Sequence, residues 1–218
     1  MSEIYGAQHR ALQQAFDTEK MADRVGELIV VNEVAPEHAG FIESRDMFFL
    51  TTVDHRGYPT CSYKGGNPGF VKVVDSKTLA FPSFDGNGMF LSMGNIMAND
   101  KIGMLFIDFE TPHRVRVHGR ASIDRNDPLI ASFAGAELVV RVAITEIFIN
   151  CPRYIHRYQR VDSSKYVPQA DCPTPGAQWK RIDAIQDVLP DRNKDLAKKL
   201  GGTITFEEYG ALVMKGEG

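Results

Sequence analysis

Between Met47 and Ile149 the apolar positions come in short runs rich in aromatic and β-branched residues, broken by turn residues, and this pattern predicts strands. Met47–Val53 reads as a strand, Asp54–Gly57 as a hairpin turn with Gly57 free to take positive φ, and Pro59–Lys64 as the return strand. The Gly-rich stretch Gly65–Gly69 is a loop or bulge. A second hairpin runs from Phe70–Val74 through the turn Asp75–Lys77 to Thr78–Pro82. Lys101–Asp108, Arg114–Ile123 and Leu138–Ile149 are further strands. Helical spacing marks Asn87–Ala98, with Met89, Met93, Ile96 and Met97 on one side. Asp127–Ala134 reads as a short helix with Asp127 as N-cap.

The flanks differ in kind. Residues 1–8 read as frayed. His9–Val31 is helix-friendly, with Asp17 and Gly26 weakening one continuous helix. Cys151–Arg157 is cationic and aromatic, Tyr166–Gly176 is Pro-rich and extended, and short helices are expected at Ile182–Leu189 and Lys194–Leu200. The tail from Gly201 is expected to be one strand or helix turn and a frayed end. The fold class is therefore mainly β with peripheral helices (α+β), an antiparallel, Greek-key-type barrel that is closed or nearly closed. The expected organisation is a helical extension over 1–40, a barrel domain over 41–155, and an arm with short helices over 156–218 that packs on the barrel or on a partner subunit.

Composition narrows the function classes. The 218 residues are 43% hydrophobic and 24% charged, with a net charge of −3. That balance gives no whole-chain attraction to nucleic acid or to an anionic membrane. Three scattered cysteines, Cys61, Cys151 and Cys172, suggest neither a disulfide framework nor a zinc site, so no metal is expected and a reducing cytoplasm fits best. Cys151 is expected to be a small buried residue. Met1–Phe16 lacks the apolar run of a secretory signal, and no segment approaches the roughly 20 apolar residues that span a bilayer.

Two features carry candidate chemistry. Phe81-Pro-Ser-Phe-Asp-Gly-Asn-Gly-Met89 is a strand that ends in small residues and opens a helix. Free amides at a helix start, approached through glycines, can seat a phosphate. The same residues also suit an ordinary strand-to-helix turn. The stretch is neither a Walker loop nor a complete Gly-x-Gly-x-x-Gly fingerprint, since Leu91 stands at the third glycine position. Downstream, Arg114, Arg116, His118 and Arg120 share one strand face, either as a solvated face or as cations that share an anionic ligand. Ser62 and Lys64 likewise share a face of the second strand, where Lys64 is either an exposed lysine or a phosphate partner.

The run Phe49–Pro59, with Thr78–Pro82, Gly94-Asn-Ile96 to Leu105–Asp108, and Val115–Ala121, resembles the pyridoxamine 5′-phosphate oxidase-like flavoproteins, and is closer to their uncharacterised FMN-binding branch than to the true oxidase. The resemblance covers roughly residues 41–155. It implies an FMN-binding split β-barrel and a homodimer with two FMN sites at the subunit interface. It implies an FMN-dependent oxidoreductase that acts on a small molecule, with neither nucleic acid nor membrane as partner.

Carried over residue by residue, Ser62 and Lys64 match the strand that meets the FMN phosphate and ribityl chain. Phe81, Pro82 and Ser83 match the segment beside the isoalloxazine ring. Asn87, Gly88 and Met89 match the phosphate turn, and Arg114 a position that contacts the ring. Arg153 and Tyr154 are further candidates for the cofactor site. The oxidase itself usually has an Arg-Lys pair in the phosphate turn, where this chain has Asn87 and Gly88. Its C-terminal signature is echoed only by Trp179-Lys-Arg181. Two alternatives stay open. One is a flavin- or haem-binding protein without turnover, with His118 or His156 as haem ligand. The other is a reductase using the deazaflavin F420, whose acidic tail would lie along Arg153, Arg157 and Arg160.

Overall fold

The computed structural model describes residues 4–218, which divide into two compact units, residues 4–162 and 163–218. The first three positions of the frayed start expected over 1–8 lie outside the described residues, and Ala7 and Gln8 already belong to helix α1 (Ala7–Ala15). Helix α2 (Glu19–Ile29) follows a break at Asp17, whose φ of 52° is left-handed. Asp tolerates that region better than most residues, which is why the chain turns there. Gly26 does not interrupt α2; it is the one buried residue of that helix.

The first unit is built on one antiparallel sheet. Its strands are β1 (Val30–Val31), β2 (Met47–Val53), β3 (Pro59–Gly65), β4 (Lys72–Asp75), β5 (Thr78–Phe84), β6 (Lys101–Asp108), β7 (His113–Asp124) and β8 (Ala136–Ile149). Their order is β3-β2-β6-β7-β8-β5-β4, with β1 pairing on β8. The sheet is not closed: β3 and β4 remain as edges, so the barrel is split. Helix α3 (Pro36–Glu43) precedes β2, and helix α4 (Leu91–Ala98) joins β5 to β6.

Strict alternation in β2 turns Phe48, Leu50 and Thr52 inward. Phe48 meets Phe70, Phe81 and Phe106 at ring-centroid distances of 5.8, 5.0 and 5.2 Å. Val115, Val117, Val140, Val142 and Ile147 complete this core from β7 and β8. Each such side chain removed from water contributes about 1.5–3 kcal/mol.

Three helices expected from sequence take other forms. Where the sequence predicts a short helix over Ile182–Leu189, Asp183–Val188 is a 3-10 segment. Ile130–Ser132 is a single 3-10 turn, and Asp127 does not cap an α-helix. Its Oδ1 accepts from the Leu129 amide, and the carboxylate is clamped by Arg141, with Nη2 to Oδ1 at 3.0 Å. Helix α4 begins at Leu91 rather than Asn87, because Gly88 and Phe90 both take positive φ (78° and 48°) and no helix continues through that conformation.

After β8 the chain turns back along its own unit. Tyr158 donates its amide to the Phe109 carbonyl, Arg157 Nε to the Glu110 carbonyl, and Arg160 pairs with Asp46 at 2.6 Å. The first unit therefore extends to Asp162. In the second unit α5 (Leu196–Lys199) is short and α6 (Phe206–Met214) is a full helix where the sequence suggests one strand or helix turn and a frayed end. Its start is a capping box: Thr205 Oγ1 accepts from the Glu208 amide, and Glu208 Oε2 accepts from the Thr205 amide. No helix among the described residues is long and apolar enough to cross a membrane.

Candidate functional site

The register of β2 and β3 decides where the candidate residues point. Ser62 lies opposite Leu50 and Lys64 opposite Phe48, so both face the core side of the sheet. Helix α4 packs over that side. Asn95 Nδ2 donates to Thr52 Oγ1 at 3.0 Å and to Thr60 Oγ1 at 3.1 Å, and Ser92 Oγ lies 3.0 Å from Ser62 Oγ. The helix thus runs antiparallel to β3, with Asn95 beside Thr60 and its first turn beside Ser62. Lys64, about 7 Å further along β3, then falls just beyond the N-terminus of α4.

That end of the helix is electropositive and open. The first amides of α4 have no intrahelical acceptor, and no side chain caps them. Lys64 is half-buried, and its ammonium makes no ion pair or hydrogen bond with any described residue. Burial alone pushes its pKa below the usual lysine range. A cation desolvated against a helix N-terminus, with no acid to balance it, is a seat for an anion.

The turn before the helix is exposed. Asn87 Oδ1 accepts from the Met89 amide at 3.0 Å, an Asx turn that leaves Met89, Phe90 and Leu91 at the surface. In β5, Phe81 is fully enclosed in the core and Pro82 is buried, so Ser83 is the residue of that trio whose side chain reaches the surface.

Arg114, Arg116 and His118 lie on the opposite, outward face, across from Ile107, Leu105 and Gly103 of β6. The four-cation stripe is sorted by its neighbours. Arg120 pairs with Asp100 at 2.9 Å and His118 with Glu146 at 2.9 Å, while Arg116 stacks on Phe148. Arg114 has its Nε buried without a hydrogen-bond partner. Arg153 and Tyr154 follow β8 and are exposed, Tyr154 with φ of 72°. Cys151 is exposed, not buried. No cluster able to hold a metal ion occurs among the described residues.

One chain therefore brings Ser62, Lys64 and the start of α4 together, and holds Arg114 on the other side of the sheet. Ser92, Asn95, Thr52 and Thr60, which position that seat, were not singled out from sequence. Their trace is the i, i+3 spacing of Ser92 and Asn95 on the helix face that turns inward.

A sequence model of the protein family described as pyridoxamine 5′-phosphate oxidase matches residues 34–151, more than half of the chain. No curated protein matches the sequence. Among solved structures, the chain is similar to a pyridoxamine 5′-phosphate oxidase homologue from Lactobacillus delbrueckii, with 24% identity over 54% of this chain and 95% of that one, at a TM-score of 0.45. HupZ from group A Streptococcus is 19% identical over 58% and 99% of the two chains, with a TM-score of 0.45. An FMN-binding protein from Syntrophomonas wolfei is 12% identical over 64% and 97%, with a TM-score of 0.42.

Proposed function

The chain belongs to the pyridoxamine 5′-phosphate oxidase family, and from that premise we propose that it is an FMN-dependent oxidoreductase acting on a small molecule as a homodimer. The observation that carries the reading is the uncompensated Lys64 ammonium beyond the uncapped start of α4. A dianionic phosphate supplies the missing charge and accepts from the free amides. Ser62 and Ser92, hydrogen-bonded to each other, leave one hydroxyl donor free at the same place. Asn87 and Gly88 add no charge in this chain, so phosphate affinity rests on Lys64 and backbone amides.

Bound FMN would supply hydride or electron transfer; the protein's part is to bind, orient and tune it. Arg114 has a buried Nε in want of an acceptor. A guanidinium beside the pyrimidine end of the ring stabilises the negative charge of the reduced flavin. Ser83 stands at the surface end of β5, where the ring is expected.

The placing of Lys64 and Arg114 on two faces supports the homodimer reading. Lys64 and Arg114 point to opposite sides of the sheet, on strands separated by β2 and β6. A second copy that turns its Arg114 face towards the Lys64 seat of the first completes one site, and symmetry completes the other.

The test is an absorption spectrum of the purified full-length protein, before and after adding FMN, with any released cofactor identified by mass. A flavin spectrum with FMN released or taken up in about equimolar amount supports the reading. A Soret band, a deazaflavin, or no chromophore and no FMN uptake overturns it.

A further inference from the structure

Helices α1 and α2 form a hairpin that is polar inside and apolar outside. Arg10 pairs with Asp23 at 2.7 Å, and Tyr5 Oη donates to the Ala22 carbonyl at 3.1 Å. The Arg10 guanidinium also lies over the Tyr5 ring, 4.9 Å from its centroid. These contacts hold the two helices together, while their large apolar side chains are left in water. Leu12 and Phe16 of α1 are 63% and 76% exposed, Met21 and Leu28 of α2 are 62% and 72% exposed, and Val25 is exposed between them. Gly26 is the one buried residue of the two helices.

Met21, Val25 and Leu28 follow the i, i+4, i+7 spacing of a single helix face, the pattern of a face that packs against another surface. Left in water, such a face adds nothing to the stability of the single chain. Leu12, Phe16, Met21, Val25 and Leu28 together expose on the order of 600 Å², against the roughly 800 Å² that each partner contributes to a stable protein–protein interface. Single exposed apolar residues are ordinary, but a concentration of this size marks an interaction surface.

The place of the hairpin says what covers it. Helix α2 runs directly into β1, where Val30 pairs with Phe148 and Val31 with Ile147 of β8. Phe148 lies opposite Arg116 and against its guanidinium, on the outward face that also carries Arg114. The hairpin therefore leaves the sheet beside the face that a second copy covers in the proposed homodimer. The Lys64 seat, which that face meets in the second copy, has an apolar border of its own: Met89, Phe90 and Leu91 are each more than half exposed. Within one chain the hairpin adjoins β8 and the Met89–Leu91 turn adjoins β3, with β2, β6 and β7 between them, and both stay uncovered.

We propose that the hairpin is a dimerisation arm, its apolar face docked on the Met89–Leu91 turn of a second copy of this chain. Two-fold symmetry makes the contact twice, since what one copy offers the other receives. The charges along the exposed side of α2 are mixed, Lys20 and Arg24 with Glu27, so a second copy meets no field of a single sign. The inference rests on the homodimer of the proposed function and names the segment that closes it; it needs no bound flavin.

The test is sedimentation velocity of the full-length protein at micromolar concentration. Two variants place opposite charges on the two surfaces: Met21→Lys with Leu28→Lys on the hairpin, and Met89→Glu with Leu91→Glu on the turn. All four positions are more than half exposed, so the fold of each chain tolerates the charge. The parent is expected to sediment as a dimer and each variant as a monomer, with the dimer Kd raised at least about a hundredfold. An equimolar mixture of the two variants should recover a dimer, because one hairpin–turn contact then joins opposite introduced charges and the other is untouched. A misfolded variant cannot give this recovery. A monomeric parent, a hairpin or turn variant that stays dimeric, or a mixture that stays monomeric overturns the proposal. Absorption spectra of the same samples separate this inference from the flavin reading. A parent that follows the pattern but takes up no FMN keeps the arm and loses the flavin; a hairpin variant that stays dimeric and takes up FMN does the opposite.

Discussion

Ser62 Oγ and Ser92 Oγ lie 3.0 Å apart across thirty positions of sequence, and this contact ties the edge strand β3 to the first turn of α4. Through it, the strand that carries Lys64 and the helix that offers free amides become one surface. Asn95 makes the second tie one turn further along the helix.

Lys64 is held at a cost that its ligand relieves. Its folded-state pKa lies below the unfolded value, so the charged form is disfavoured in the folded protein. That cost is full below the folded pKa and fades as pH rises through it towards the unfolded value. Lys64→Met should therefore unfold at higher urea than the parent at neutral pH, with the gap narrowing in the alkaline range. The same variant should bind FMN about tenfold more weakly, and this difference should shrink at high salt, where the charge contact is screened. Equal urea midpoints at neutral pH would contradict the burial argument.

Arg114→Ala should lower the reduction potential of bound FMN by about 30 mV, equivalent to about 1.4 kcal/mol for a two-electron couple. Removing a cation from beside the reduced, anionic ring makes reduction harder. Spectroelectrochemical titration reads this directly, and an unaltered potential would place Arg114 away from the ring.

Asn95→Ala should destabilise the protein by about 1–3 kcal/mol, since it strips a buried donor from two threonine hydroxyls. Thr52 and Thr60 keep each other, 2.8 Å apart, so the loss is partial. Thermal unfolding would show a fall of several degrees. FMN affinity should fall with it, because α4 is held on β3 by this bond and by Ser92.

Two glycines in neighbouring strands should respond in opposite ways to alanine. At Gly119 a Cβ meets the Ala143 carbonyl oxygen and a Val142 methyl, both at 2.6 Å, so the backbone must shift, at about 1–3 kcal/mol. At Gly103 the nearest atoms are 3.8 Å away, and Gly103→Ala should change stability by no more than about 0.5 kcal/mol. Urea midpoints of the two variants, measured side by side, test the β7–β8 bulge between His118 and Gly119.

Much of the sheet was legible in the sequence because its signals are local. Met47–Val53 and the hairpin at Gly57 follow from β-propensity and turn chemistry within a few residues. The break at Asp17 and the capping box at Thr205–Glu208 are local as well. The start of α4 was misplaced for a non-local reason. Asn87–Met89 has helix-compatible spacing, but the chain spends those residues on an Asx turn and a left-handed Phe90 to bring Ser92 against Ser62.

Sequence alone determined the class of the fold, the membership of the family, and the identity of the cations available to a ligand, because periodicity and motif are written along the chain. Only the tertiary structure decided what those cations do. Two neighbours on a strand face have the same pattern whether or not an acid lies across from them. Register supplied Asp100 to Arg120 and Glu146 to His118, and supplied no carboxylate to Arg116. Strand order set Lys64 and Arg114 on opposite faces. The physical reason is that charge compensation and burial depend on contacts between residues far apart in sequence, and pairing register is what brings them together or keeps them apart.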